Sequence, residues 1–76
     1  MRKEESTLTI DIHGDKYWRN KKGKLHRIDG PAVEYVDGYK EWHIRDVYFA
    51  TKEAFFDALT DKEKEIAIFS EDFHNA

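Results

Sequence analysis

The chain has 76 residues, of which 38% are charged and 39% hydrophobic, with a formal net charge of −3. That length allows one domain with a thin core, since so short a chain buries only about 60–65% of its unfolded surface. The polar balance alone would suit a disordered segment, but the 14% aromatic content argues for a folded domain, and the absence of cysteine excludes a disulfide framework and thiolate metal sites.

Strand patterns occupy the first fifty residues. Residues 7–12 (Thr-Leu-Thr-Ile-Asp-Ile) alternate polar and apolar, placing Leu8, Ile10 and Ile12 on one face. His13-Gly14-Asp15 forms a turn, and Lys16–Arg19 a second strand with Lys16 and Trp18 on one face and Tyr17 and Arg19 on the other. Asn20–Lys24 reads as a turn, because Asn and Gly tolerate positive φ and its lysines have nothing to pack against. After a short extended Leu25-His26-Arg27, Asp29-Gly30-Pro31 breaks the chain. Ala32–Val36 and Tyr39–Ile44 flank Asp37-Gly38, a two-residue hairpin signal, and Val47–Phe49 adds one more short strand.

Beyond Ala50 the period lengthens. Thr51 suits the N-cap of a helix over 52–59 that buries Phe55 and Leu59. Thr60-Asp-Lys-Glu63 is a capping box opening a second helix to about Phe69, with Ile66, Phe69 and Phe73 on one stripe. The expected architecture is therefore α+β: a small twisted antiparallel β-meander over 7–49, with one or two C-terminal helices over 51–73 as a cap. Within the meander, Gly14-x-Lys16-x-Trp18 recurs as Gly38-x-Lys40-x-Trp42 at an offset of 24 residues, with Ile12 matching Val36 and Leu25 matching Phe49.

The run Leu25-His26-Arg27-x-Asp29-Gly30-Pro31-Ala32, followed by Tyr35-x-Asp37-Gly38 and Trp42, resembles the MORN-like repeats of small proteins from tailed bacteriophages and some large viruses. The likeness covers about residues 14–49 and implies hairpin units used as binding scaffolds. It does not imply an activity. With barely two repeats, the helices or a self-paired dimer would have to complete the stack.

No residue pattern supports catalysis. The four histidines (His13, His26, His43, His74) lack helical zinc spacing, and the two serines lie outside any nucleophile elbow. Arg27 and Asp29 leave the chain on one side, as a salt bridge pinning the Gly30-Pro31 turn or with Arg27 presented to a partner. Residues 14–27 hold six basic side chains against one acidic, and residues 51–76 hold three basic against seven acidic. The basic segment interleaves cations with rings, a pattern suited to nucleic acid. Strand alternation splits it, however, and Trp18 matches Trp42, which points to packing.

The sequence thus predicts a non-enzymatic, phage-type accessory protein that binds a host protein or complex stoichiometrically. An inhibitor of a bacterial defence system, of the anti-CRISPR kind, is the version that the resemblance favours. The expected contact residues are Lys16, Arg19, Lys21, Lys22, Lys24 and Arg27. Neither cofactor nor metal is expected. A homodimer, nucleic-acid binding through residues 16–27, and an assembly role in a phage particle are the alternatives. No apolar run approaches the ~20 residues that span a bilayer, and residues 1–5 lack a signal peptide's apolar stretch. The expected location is the cytoplasm of an infected bacterial host.

Overall fold

The structure is a computed structural model and describes residues 5–76. It is α+β. Strands β1 (Thr7–Ile10), β2 (Lys16–Arg19), β3 (Val33–Glu34), β4 (Lys40–Ile44) and β5 (Val47–Phe49) form one antiparallel sheet. Their spatial order follows the chain, β1-β2-β3-β4-β5. Helices α1 (Lys52–Asp57), α2 (Asp61–Ile68) and α3 (Glu71–Asn75) follow.

One turn design serves three times. In residues 11–15, 20–24 and 35–39, the first residue donates its N–H to the fifth residue's carbonyl and accepts the N–H of the fourth. The fourth residue is Gly14, Gly23 or Gly38, each at φ between 80° and 96°, where a side chain would be strained. The side chain at the first position reinforces two of the three. Asp11 Oδ1 accepts the N–H groups of His13 and Asp15, and Asn20 Oδ1 those of Lys22 and Lys24. Tyr35 cannot do this, and Asp37 instead accepts the N–H of Tyr39. Asp37-Gly38 therefore belongs to this longer turn. The two-residue connection lies at Arg45-Asp46, both at positive φ (47° and 71°) without any glycine.

The gap between β2 and β4 is filled from both ends. At one end β3 pairs with both strands. At the other, Leu25 bridges to Arg19, His26 N–H reaches the Trp18 carbonyl, and Arg27 N–H reaches the His43 carbonyl. Residues 28–31 loop out between these segments, where Pro31 has no N–H to give a ladder.

Alternation and register place Leu8, Ile10, Lys16, Trp18, Glu34, Lys40, Trp42 and Ile44 on one face, in line with the cross-strand pairs Leu8–Trp18, Lys16–Glu34 and Glu34–Lys40. The helices cover this face at its β4–β5 side. Trp42 and Ile44 pack with Phe55, Leu59, Ala67 and Phe73, and Phe49 and Phe56 border the cluster. The Trp42 ring lies 4.7 Å from Phe55 and 6.0 Å from Phe73, centroid to centroid. Thr51 caps α1, and Thr60 with Glu63 forms the capping box of α2.

Two expectations about burial fail. The second helical stretch breaks at Phe69, which is 86% exposed, because Ser70 caps a separate α3 and carries Phe73 into the core. Leu8, Ile10 and Ile12 do not face a core. They are 43%, 55% and 94% exposed, since the helices stop short of edge strand β1 and the strand ends at Ile10.

Candidate functional site

The face opposite the helices carries all four tyrosines. Tyr17 on β2, Tyr35 just after β3, Tyr39 at the head of β4 and Tyr48 on β5 share it with Arg19, Glu41 and His43, as register and alternation require. Tyr39 and Tyr48 are about half exposed, at 54% and 50%. The rings form one connected surface. Tyr17 meets Tyr35 edge-on at 6.5 Å, Tyr35 stacks on Tyr39 at 5.7 Å, and Tyr48 lies close enough to Tyr39 to perturb its phenol. Beneath them Val33, cross-strand from Tyr17 and Glu41, is 1% exposed and gives the platform an apolar floor. His43 closes the far side, its Nε2 3.0 Å from Glu41 Oε1 and its ring 5.4 Å from Tyr48.

The phenols of Tyr17, Tyr35 and Tyr39 stay protonated beyond their usual range. Partial desolvation leads at Tyr17 and Tyr35, aided by Asp11 and Asp15 at the first and by Glu41 at the second. At Tyr39 the hydrogen bond to Tyr48 leads. Each of these three phenols is therefore a neutral donor at physiological pH.

Charge is polarised along the strands. Turns 11–15 and 35–39 lie at one end of the sheet, joined by Val36 N–H donating to Asp15 Oδ1 at 2.8 Å, and bring Asp11, Asp15 and Asp37 there. Partial desolvation raises the Asp11 carboxyl, but the Asp15 and His13 N–H groups, the His13 charge and the Tyr17 hydroxyl together hold it below its ordinary value. Turn 20–24, at the other end, presents exposed Lys21, Lys22 and Lys24. Arg19 joins that turn to the platform, its guanidinium carbon 5.1 Å from the Tyr17 centroid.

The six basic residues expected to contact a partner lie in three places. Arg19, Lys21, Lys22 and Lys24 stay together. Lys16 lies at the opposite end of β2 on the helix-side face, aligned with Glu34, because a four-residue strand at about 3.3 Å per residue separates it from the turn. Arg27 points inward, with its side chain 7% exposed. Its guanidinium carbon lies 4.0 Å over the Trp18 ring, its Nε donates to Asp29 at 2.9 Å, its Nη1 to the Pro31 carbonyl at 3.1 Å, and its Nη2 to Asp72. Of the two roles open to Arg27, this geometry is the structural one. It also separates the two tryptophans, since Arg27 lids Trp18 whereas aromatic rings lid Trp42.

A cleft of about 310 Å³ beside Trp18 and Arg27 is lined also by Ser6, Ile28, Asp29 and Ile66. Every Arg27 nitrogen that faces it is already matched to an internal oxygen. Among the described residues no three His, Asp or Glu side chains gather as a metal site, and no helix is long and apolar enough to cross a membrane. The tyrosine platform escaped the sequence reading because its members come from four separate segments. The available signal was Tyr39-x-Glu41-x-His43 alternating against Lys40-x-Trp42-x-Ile44. No family profile, no curated protein and no solved structure matches the chain.

Proposed function

We propose that the chain is a non-catalytic protein-binding domain whose contact surface is the tyrosine platform together with the adjoining basic turn, Arg19, Lys21, Lys22 and Lys24. The observation that carries this reading is the gathering of all four tyrosines on the sheet face that the helices leave uncovered. Tyrosine suits such work: it offers a large rigid ring at small entropic cost, with a hydroxyl that bonds a partner's backbone. The ring-to-ring contacts hold these side chains in place before binding, which lowers the cost of association. The basic turn steers an acidic-rimmed partner onto the platform.

The resemblance to viral MORN-like hairpin proteins, and the small size, extend the proposal to a phage-type accessory protein that blocks a bacterial defence complex inside the infected cell. Nucleic acid is the second reading, favoured by rings lying beside lysines. Asp11, Asp15, Asp37 and Glu41 at the far end of the same platform oppose it, because a strand tracking across would meet their charge.

The test is affinity capture from a bacterial lysate, with and without nuclease, followed by titration of the captured protein. Replacing Tyr39 and Tyr48 together with Ser should weaken binding by more than tenfold while the fold persists, since both side chains are half exposed. Changing Lys21, Lys22 and Lys24 to Glu should slow association. Wild-type binding by the tyrosine pair would overturn the platform assignment. A nuclease-sensitive capture that weakens steeply with salt would favour nucleic acid.

A further inference from the structure

Among the described residues, strand β1 is a free edge without the usual protection. Residues 6–10 (Ser-Thr-Leu-Thr-Ile) contain no charge, no proline and no glycine, and alternate β-branched or apolar residues. The hydrogen-bond pattern fixes which backbone groups face outward. Asp11 N–H bonds the Asp15 carbonyl, so the ladder toward β2 continues two residues on at Thr9–Tyr17 and Thr7–Arg19. Trp18, opposite Leu8, instead directs its N–H away from β1 to the Ala32 carbonyl. The N–H and carbonyl groups of Leu8 and Ile10 therefore point off the sheet. These are the same two residues whose apolar side chains are 43% and 55% exposed.

We infer that β1 pairs antiparallel with β1 of a second copy, about a two-fold axis perpendicular to the sheet that passes midway between the two Thr9 residues. This arrangement makes every unmet group meet its like. Leu8 of each copy exchanges both backbone hydrogen bonds with Ile10 of the other, giving four bonds, and the four apolar side chains form one patch on the helix-side face. Charge selects the same occupant. The axis reverses the strands, so the acidic end of one sheet lies beside the basic end of the other. Asp11 comes opposite Thr7 of the second copy, whose own cross-strand neighbour is Arg19. Two strand spacings, about 10 Å, separate those charges, slightly more than the Debye length at physiological salt, so the attraction acts mainly at low ionic strength. The other edge, β5, has three residues and leads through a two-residue link into α1, which leaves less strand to pair. Both tyrosine platforms remain on one side of the resulting ten-stranded sheet, so the dimer would present the proposed site twice. The pairing itself does not depend on that reading.

The wild-type chain lacks cysteine, which makes cross-linking specific. Directly opposed residues of a pair that is not hydrogen-bonded lie about 4.5 Å apart between Cα atoms, within disulfide range. Thr9→Cys should therefore give a covalent dimer on mild oxidation, whereas Thr7→Cys, facing Asp11 of the other copy, should cross-link at least tenfold more slowly. Sedimentation equilibrium of the wild type should show a monomer–dimer equilibrium across the micromolar to millimolar range. Leu8→Lys and Ile10→Glu should each weaken it at least tenfold, and an equimolar mixture should restore association as a heterodimer, because the new lysine and the new glutamate face each other. Circular dichroism of each variant confirms that the exposed edge substitutions leave the fold intact. A wild type monomeric up to millimolar concentration would overturn the inference. So would a mixture no more associated than its components, or equal cross-linking at positions 7 and 9.

Discussion

Gly30 offers the sharpest test of how the inward-turned arginine holds the molecule together. A Cβ at this position would stand 2.7 Å from the Arg27 guanidinium carbon and 2.9 and 3.0 Å from its terminal nitrogens. The same group also lies 4.0 Å from the Trp18 ring centroid and is bonded to Asp29, Asp72 and the Pro31 carbonyl, so it cannot give way without leaving those partners. Gly30→Ala should thus displace the guanidinium from Asp29, Asp72 and the Pro31 carbonyl. Hydrogen bonds to charged groups contribute about 1.5–3 kcal/mol each when buried. Asp29 and Asp72 are 45% and 66% exposed, so water recovers much of that loss. Alanine also restricts the unfolded chain, which returns about 0.4–1 kcal/mol. The net expected loss is about 2–3 kcal/mol. For a domain of this size that lowers Tm by roughly 10–20 °C, read by circular dichroism. In an Arg27→Ala background the obstruction is gone, and Gly30→Ala should become neutral or stabilising, a coupling that a double-mutant cycle isolates. A Gly30→Ala protein that melts at or above the wild-type temperature, or loses as much stability in both backgrounds, would refute the reasoning.

Trp42→Ala should cost about 3–5 kcal/mol and abolish cooperative melting, whereas Trp18→Ala, half-buried under a cation, should leave a melt displaced downward but cooperative. The raised pKa values of Tyr17, Tyr35 and Tyr39 mean that the unfolded chain loses these protons first. Stability tied to the platform should be complete below pH 10.0 and decline as pH rises above it, and Tyr39→Phe should reduce that slope in urea titrations. The lowered pKa of Asp11 acts in the opposite sense: its contribution is present above about pH 4 and lost as pH falls through the folded value, a loss that Asp11→Asn should remove from an acid titration. Ending the chain at Ala50 uncovers Trp42, Ile44 and Phe49, and that fragment should aggregate or fail to fold when examined by light scattering and circular dichroism.

Local chemistry made much of the fold legible. Gly14, Gly23 and Gly38 marked three turns, Thr51 and Thr60 marked two helix starts, and the 24-residue offset set Trp18 and Trp42 on one face. The reading failed where tertiary partners decide. Nothing near Leu8 and Ile10 announces that the helices end before reaching them, and Phe69 fits the apolar stripe until Ser70 caps a new helix. Arg45-Asp46 adopts left-handed geometry without glycine because distant groups hold it. Arg45 N–H donates to His26 Nδ1, and Asp46 exchanges bonds with Leu25 through its own N–H and carboxylate. Alternation already splits the basic segment between two faces, but sequence proximity hides that Lys16 and the lysine turn also lie at opposite ends of β2. Arg27 turned inward because carboxylates from residues 29 and 72 converge on it, and no local pattern contains the second of these.

Strands arranged in chain order have a kinetic consequence. The five-residue turns 11–15 and 35–39 close with little loss of chain entropy, so the β1–β2 and β3–β4 hairpins can form on a microsecond scale with no distant segment to await. The long-range links are of another kind: Arg27 reaches Asp72 across 45 positions, and Ser70 hydroxyl reaches the Asp29 carbonyl across 41. Both tie the last helix to the loop between β2 and β3, and both must wait until the sheet and the first two helices are in place. Chain order therefore predicts assembly from the first residues toward the last, with this clasp closing late, an order that φ-values at Arg27 and Ser70 near zero would support. The same clasp, resting on a carboxylate that is 66% exposed, is then the expected first place of thermal opening, read as early hydrogen exchange in the last helix.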